Sequence, residues 1–60
     1  MAQFEIYLDR RDEYRWRLKA ANGKKIATSG EGYVSKRDCK HGISLVKSLA
    51  PNAPIKTLVH

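Results

Sequence analysis

Residues 14–26 read YRWRLKAANGKKI, and the fold can be worked out from this stretch. Tyr14, Trp16 and Leu18 alternate with basic side chains over residues 14–20. Alternation with a period of two is typical of a β-strand that buries one of its faces. The stretch therefore predicts a strand with an apolar inner face and a basic outer face.

The Asn22-Gly23 pair inside this stretch predicts a β-hairpin. A two-residue loop would put Ile26 on the face that carries the basic side chains. A three-residue loop over residues 21–23, with Gly23 in the left-handed region, puts Ile26 opposite Leu18 on the buried face. We therefore expect the three-residue loop, followed by a third strand over residues 25–29.

The same alternation occurs near the start of the chain, where polar residues separate Phe4, Ile6 and Leu8. It predicts a first strand over residues 3–9. The charged residues that follow it, up to Glu13, form a turn that leads into the second strand.

A helix is expected after the glycine-containing stretch 30–33, and its start can be placed by capping chemistry. Ser35 is a typical N-cap residue, with Asp38 three residues later as a capping-box partner. Val34 before the cap and Cys39 at the fourth helical position would form a hydrophobic staple.

The predicted helix covers residues 36–50 and is ended by Pro51, because proline cannot continue a helix. At 100° per residue its apolar side chains share an arc of about 160°, which makes the helix amphipathic. This arc contains Cys39, Gly42, Ile43, Leu45, Val46, Leu49 and Ala50.

Residues 55–59 (IKTLV) have the composition of a short strand. The predicted order is then β-β-β-α-β, an α+β fold in a single domain over residues 1–60. The connection before this last strand is short and contains Pro51 and Pro54, and a short strained hinge favours exchange of a strand between two copies of a chain. The last strand therefore pairs either with its own sheet or with that of a partner.

The length of the chain bears on its oligomeric state. Sixty residues with one cysteine cannot hold an internal disulfide. A domain of this size buries only about 60% of the surface of its unfolded chain, so burial barely offsets conformational entropy. Association is the common remedy, and we expect a homodimer, with a marginal monomer as the alternative.

The chain also shows no sign of membrane insertion or export. No apolar run approaches the roughly 18 residues of a membrane span, and the N-terminus has no signal-peptide pattern. We therefore expect a cytoplasmic protein with no membrane partner.

Four segments taken together resemble the YegP-like family of small, mostly bacterial proteins of unassigned function. They are FEIY at 4–7, YRWRLKAANG at 14–23, IATSGEGY at 26–33 and GISLVK at 42–47. The resemblance covers nearly the whole chain. It implies a β3-α-β unit that occurs as a homodimer or as two tandem copies, joined in a single continuous sheet with exchanged C-terminal strands. It implies no activity, catalytic residue or cofactor, and a chain with one copy is expected to be a homodimer.

The charge of the chain favours anionic partners. Twelve Lys and Arg against six Asp and Glu give a net charge of +6. The predicted outer sheet face concentrates cations and, with Tyr7, would suit phosphate backbones and unpaired bases. The alternative is a solvated face on which Glu5 pairs with an arginine across the strands. The candidate nucleic-acid-binding residues are Arg15, Arg17, Lys19, Lys24 and Lys25.

The stretch Gly30-Glu31-Gly32 before a serine-capped helix loosely resembles an anion-binding loop. Cations in the first turn of a helix are disfavoured by its dipole, and a bound anion would reverse that effect. The alternative is a tight turn that needs glycine. The candidate residues for a small anion or a phosphorylated metabolite are Gly30, Gly32, Ser35, Lys36 and Arg37.

Reactive groups are few. Cys39 lies within the apolar arc and is expected to be a buried small hydrophobe. His41 points about 200° away from it around the helix, so the two form neither a catalytic dyad nor a metal site. We predict no catalytic, cofactor-binding or metal-binding residue. The sequence favours a non-catalytic binding or interaction module, with nucleic-acid binding and small-anion binding as alternatives.

Overall fold

The computed structural model describes residues 1–59, and His60 lies outside the described residues. An antiparallel sheet in the order β1-β2-β3 carries one helix against the central strand. The α+β class is confirmed, and each predicted element up to the helix is one residue shorter than expected. The elements are β1 (Gln3–Leu8), β2 (Tyr14–Lys19), β3 (Lys25–Thr28), α1 (Lys36–Leu49) and a 3₁₀ turn, η1 (Ala50–Asn52).

The core lies between β2 and α1 and is small. Trp16 is buried on the inner face of the sheet and packs edge-on against Phe4, with ring centroids 5.5 Å apart. Cys39 of α1 is fully buried, as its place in the apolar arc predicts. Gly42 allows the helix to come close, because a Cβ atom there would lie 2.6 Å from the hydroxyl of Tyr33.

The β2–β3 hairpin has the predicted loop but not the predicted register. Gly23 adopts a φ of +87°, and the Ala20 N–H donates to the Lys24 carbonyl at 2.8 Å, so residues 21–23 form the loop. Beyond it the register shifts, because Lys19 pairs with Lys25 whereas Leu18 pairs with Ala27. Ile26 is the extra residue of this bulge and is 61% exposed, so its predicted position opposite Leu18 is wrong.

Ser29 supplies a physical reason for this shift. Its buried hydroxyl accepts a hydrogen bond from the Trp16 N–H at 3.2 Å, and its own N–H donates to the Trp16 carbonyl at 2.9 Å. The bulge therefore places two small residues, Ala27 and Ser29, opposite Leu18 and Trp16 of the inner face. An unbroken register would place Ile26 and Thr28 there.

The start of α1 confirms the predicted N-cap. Ser35 is extended (φ −114°, ψ 148°), and its hydroxyl accepts from the Asp38 N–H at 3.1 Å. The predicted staple is wrong, since Val34 is 85% exposed while Cys39 faces the sheet. Pro51 lies in η1, directly after the end of α1, in agreement with its predicted role.

Residues 53–59 form no strand in the described chain, and all of them are exposed. A strand is stable only where another strand satisfies its N–H and C=O groups, and within residues 1–59 the sheet ends at β1 and β3 without pairing to this segment. The alternative in which residues 55–59 pair with their own sheet is therefore wrong. Pairing with a partner's sheet stays a prediction.

Candidate functional site

The basic outer face of the sheet is built by β2 and its two neighbours. Arg15, Arg17 and Lys19 alternate along β2, which places them on one face. Across the strands, Arg15 is opposite Tyr7, Arg17 is opposite Glu5, and Lys19 is opposite Lys25. The structure therefore brings together four of the five candidate nucleic-acid-binding residues.

Two carboxylates hold the cations of this face. Arg15 Nε donates to Asp9 Oδ2 at 2.7 Å, and Arg17 Nε donates to Glu5 Oε1 at 2.8 Å. Lys19 Nζ lies 3.6 Å from the same Glu5 oxygen. The Arg17 guanidinium also lies 4.9 Å from the centroid of the Tyr7 ring. These half-buried side chains form an ordered layer in which two negative charges offset part of the positive charge.

The ion pairs also set the protonation of the two carboxylates. Arg17 lowers the pKa of Glu5, with smaller effects from Gln3 and Lys19. Arg15 lowers the pKa of Asp9, and backbone N–H groups lower it further. In turn, the hydrogen bond to Asp9 raises the pKa of Arg15. All three groups are therefore charged at neutral pH.

Lys24 and Lys25 differ from the rest of the basic face. Both are exposed at the hairpin end, and neither has a carboxylate within ion-pair distance among residues 1–59. The Lys24 N–H donates to Asn22 Oδ1 at 3.1 Å, which fixes the backbone where the loop enters β3. These two lysines are the candidates that are free to meet a phosphate, and nucleic-acid binding by the face stays a prediction.

The candidate anion loop connects β3 to α1. After the Trp16–Ser29 hydrogen bonds the chain bulges outward and returns at Tyr33, whose N–H and C=O groups both pair with Tyr14. Gly32 is needed for space, because a Cβ atom there would lie 2.8 Å from Cβ of Glu13 and nearer still to its carboxylate. Gly30 has open space around it. An acidic side chain thus lies beside the loop that the anion hypothesis requires.

The other candidate anion residues lie at the start of α1. Ser35 is occupied as the N-cap, and Lys36 and Arg37 are exposed without a carboxylate partner among the described residues. No contact that the structure describes in this region favours an anion, and the hypothesis stays a prediction.

The remaining polar chemistry is limited to single groups. Burial raises the pKa of the Cys39 thiol. Within residues 1–59, no three His, Cys, Asp or Glu side chains gather as metal ligands, and these residues form no pocket. No helix in the described part of the chain is long and apolar enough to cross a membrane.

An uncovered apolar surface was missed by the sequence analysis. Leu45 and Leu49 belong to the predicted apolar arc of α1, yet they are 46% and 64% exposed. Ile55, Leu58 and Val59 of the C-terminal segment are more exposed still. The sequence did carry a signal for this surface, namely the width of the apolar arc of α1. An arc of about 160° presents more apolar side chains than a sheet of three short strands can cover.

The area of the molecule shows how large this uncovered surface is. The chain exposes 5273 Å², whereas a compact monomer of 6.8 kDa exposes about 4,000 Å². Its radius of gyration is 13.0 Å, against about 10.4 Å for a compact domain of 60 residues. Roughly 1,300 Å² therefore remains exposed beyond what a self-contained domain of this mass leaves open.

Comparison with known proteins identifies the family. The model of a domain of unknown function, DUF1508, matches residues 9–56. The chain belongs to the DUF1508 family. The family expected from the sequence, which is YegP-like, is thereby confirmed, and its members occur in bacteria and archaea.

Relatives of this DUF1508 chain cover most of its length. A UPF0339 protein of Neisseria meningitidis serogroup B is 57% identical over 53 residues, which are 88% of this chain and 93% of that protein. A UPF0339 protein of Methanosarcina acetivorans is 52% identical over 97% of this chain and 98% of its own. One of Stutzerimonas stutzeri is 51% identical over 49 residues, which are 82% of this chain but 43% of that protein.

Two solution NMR structures share the fold of this DUF1508 chain. A protein from Haloferax volcanii is 50% identical, with a TM-score of 0.89 and 93% of each chain covered. A protein from Agrobacterium tumefaciens is 37% identical, with a TM-score of 0.76, covering 97% of this chain and 92% of its own. The β3-α arrangement is therefore shared with these two solved structures.

Proposed function

We propose that the chain is a non-catalytic binding module that works as a homodimer with exchanged C-terminal segments. One observation carries the proposal, namely the roughly 1,300 Å² of surface exposed in excess of a compact monomer. Two chains that each cover this area would bury about 2,600 Å², within the range of obligate homodimers. The exposed leucines of α1 and the apolar C-terminal segment are the surfaces to be covered.

A relative of greater length supports this proposal. The 49 residues matched in the Stutzerimonas stutzeri protein are 43% of it, so that protein is about 114 residues long. Such a chain has room for two units of this size. In such a chain each unit could cover the exposed apolar surface of the other. Two separate chains would achieve the same cover by forming a dimer.

Sedimentation equilibrium tests the dimer, and truncation tests the exchange. The full chain is expected to sediment with about twice its mass of 6.8 kDa. Ending the chain after Ala53 removes the apolar segment and should give a monomer or an unfolded chain. A full-length monomer across the concentration range would overturn the dimer, and a folded truncated dimer would overturn the exchange.

Nucleic-acid binding by the basic face is the second candidate function. The stack of Arg17 on Tyr7, beside Arg15, Lys19 and Lys25, resembles the cation and aromatic pairing that suits single strands. In a dimer the net charge would double to about +12, which strengthens attraction to phosphate. The ion pairs to Glu5 and Asp9 weaken the face, which leaves Lys24 and Lys25 as its freest cations.

Reversing the charge of these two lysines tests the second candidate. Lys24→Glu with Lys25→Glu breaks no ion pair, so the fold should be kept. Titration with a labelled single-stranded oligonucleotide should show at least tenfold weaker binding and a smaller salt dependence. The matched control, Lys36→Glu with Arg37→Glu, makes the same change in charge on α1. Equal losses in both variants would show attraction by net charge alone and would overturn a site on the sheet.

A further inference from the structure

The two carboxylates on the outer face of the sheet are held in different ways. Asp9 is anchored by the backbone, because it accepts from two N–H groups of the β1–β2 turn at 2.8 and 3.1 Å. Glu5 is held by side chains alone among the described residues. It accepts from Arg17 Nε at 2.8 Å and from Gln3 Nε2 at 2.9 Å. Lys19 Nζ lies 3.6 Å from the oxygen that Arg17 contacts.

The Glu5 carboxylate is also the easier of the two to displace. Its side chain is 28% exposed, whereas that of Asp9 is 16% exposed. Ion pairs that water reaches add little to stability, because solvent and salt screen them. The backbone of β1 is held by its pairing with β2 whether or not Glu5 keeps its partners. Glu5 can therefore turn away at little cost, whereas moving Asp9 would break the hydrogen bonds of the turn.

The donors around Glu5 would remain grouped if its carboxylate turned away. Glu5 uses only the Nε atom of Arg17, and the two Nη groups have no acceptor among residues 1–59. On β3, Lys25 is opposite Lys19 and Thr28 is opposite Arg17, which places both side chains on the same face. Both are exposed. Three cations and a hydroxyl group would then face one small area of the sheet.

We infer that Arg17, Lys19 and Lys25 bind a phosphate group. The Glu5 carboxylate occupies the first two of these donors and is displaced when the phosphate binds. Carboxylate and phosphate both suit the planar donor fork of arginine. The Tyr7 ring, whose centroid is 4.9 Å from the Arg17 guanidinium, holds that group in place after Glu5 leaves.

The inference rests on the second candidate function, in which the phosphate belongs to an unpaired nucleic-acid strand. It adds to that function which groups take the phosphate and which group competes for them. Free phosphate has the same chemistry, so the experiments below use a single-stranded oligonucleotide and inorganic phosphate as separate ligands.

Glu5→Gln tests the competition between carboxylate and phosphate. Glutamine keeps the size of the side chain and an oxygen that accepts from Arg17, so the fold should be kept. Titration with a labelled single-stranded oligonucleotide should show roughly fivefold tighter binding than for the wild type. The slope of log affinity against log salt should steepen by about 0.7, which corresponds to one added phosphate contact on a single strand.

Glu31→Gln is the matched control, because it removes the same charge elsewhere. Glu31 is exposed in the loop after β3 and forms no ion pair within the described chain. This variant should bind the oligonucleotide within about twofold of the wild type and keep its salt slope. Equal gains from the two variants would show an effect of net charge alone and would overturn the inference.

NMR on the nitrogen-15-labelled wild-type chain tests the displacement directly. Binding of the oligonucleotide should shift the Nε–H signal of Arg17, because its acceptor changes from carboxylate to phosphate. The Nε–H signal of Arg15 should move much less, since Asp9 stays anchored to the turn. Equal shifts of the two signals would overturn the distinction between the two carboxylates, and the inference with it.

The outcomes separate the inference from the second candidate function. Oligonucleotide binding that leaves the Arg17 signal in place would overturn the inference and leave nucleic-acid binding through other cations standing. A shift of the Arg17 signal by inorganic phosphate, without oligonucleotide binding, would support the phosphate site and overturn a nucleic-acid strand as its ligand. An Arg17 signal that neither ligand moves, without oligonucleotide binding, would overturn both.

Discussion

Asp9 orders the turn between β1 and β2 with a single carboxylate. Its Oδ1 atom accepts from the N–H groups of Arg11 at 2.8 Å and Glu13 at 3.1 Å, and its Oδ2 atom accepts from Arg15. The turn also places Asp12 at a φ of +59°, which aspartate tolerates better than most residues. One side chain thus links the turn to the outer face of the sheet.

The pKa of Asp9 leads to a prediction about acid stability. Its folded-state pKa is lowered below the ordinary value of 3.8, first by Arg15 and then by the backbone N–H groups. A lowered pKa adds stability above the unfolded-state value, and that stability is lost as the pH falls through the folded-state value. Asp9→Asn should therefore lower the urea midpoint at pH 7 and flatten its decline below about pH 4.

A neighbouring aspartate in the same turn is the control for this measurement. Asp12 is exposed and forms no ion pair in the described chain, and asparagine also tolerates its positive φ. Asp12→Asn should leave the pH profile of the urea midpoint close to that of the wild type. Parallel profiles for wild type and Asp9→Asn would contradict the role given to Asp9.

Single residues could be predicted where local chemistry decides their role. Gly23 needs a left-handed conformation and Ser35 needs a helix N-terminus, and both needs follow from adjacent residues. The failed staple at Val34 depends on the direction of the chain before α1, which residues far apart in sequence determine. The role of Asp9 in the turn was missed. Its carboxylate accepts from the N–H group two residues later, and short polar side chains make this contact in many turns, so the residue type alone does not single it out.

At the level of elements, the junction of β2 and β3 depends on one serine. Ser29 is buried, and its hydroxyl is the acceptor for the Trp16 N–H. Trp16 is the largest residue of the core, so this bond fixes β3 against the strand that carries it. The strands, to within one residue, and the loop were predictable from alternation and the Asn-Gly pair. The bulge at Ile26 was not, because it results from burying Ser29 beside Trp16, a contact between residues 13 apart in the sequence.

Replacing Ser29 should destabilise the junction of β2 and β3. Ser29→Ala leaves the N–H of Trp16 buried without its acceptor, and such a group costs about 1–3 kcal/mol. The free energy of unfolding, measured with urea, should fall by that amount. Ser44→Ala on the exposed face of α1 removes a hydroxyl with no hydrogen bond in the described structure and should change stability little. An equal effect of the two changes would show that the Ser29 bond does not fix the junction.

For the whole molecule, sequence periodicity identified the apolar arc of α1 but not how much of it the chain covers. Coverage depends on the width of the sheet, and β3 is only four residues long. The marginal core expected for sixty residues appears as a buried centre formed by Trp16 and Cys39. Leu45 and Leu49 stay 46% and 64% exposed in one copy of the chain, which the periodicity of the helix does not reveal.

If the fold depends on a partner, its stability must depend on protein concentration. A dimer that unfolds to two separate chains loses about 1.4 kcal/mol of stability for each tenfold dilution. The urea midpoint of the full chain should therefore fall steadily across a hundredfold dilution. Leu45→Ser with Leu49→Ser should lower the midpoint and shift the decline to higher concentrations, because it weakens the contact between chains.

Another exposed apolar residue is the control for that double change. Val34 is 85% exposed and lies before the start of α1, whereas Leu45 and Leu49 lie near its end. Val34→Ser removes apolar surface of the same kind, so it should leave both the midpoint and its concentration dependence near those of the wild type. A midpoint of the full chain that stays constant on dilution would mean that one copy is stable alone. The excess surface of about 1,300 Å² would then be an ordinary solvated surface of the folded monomer.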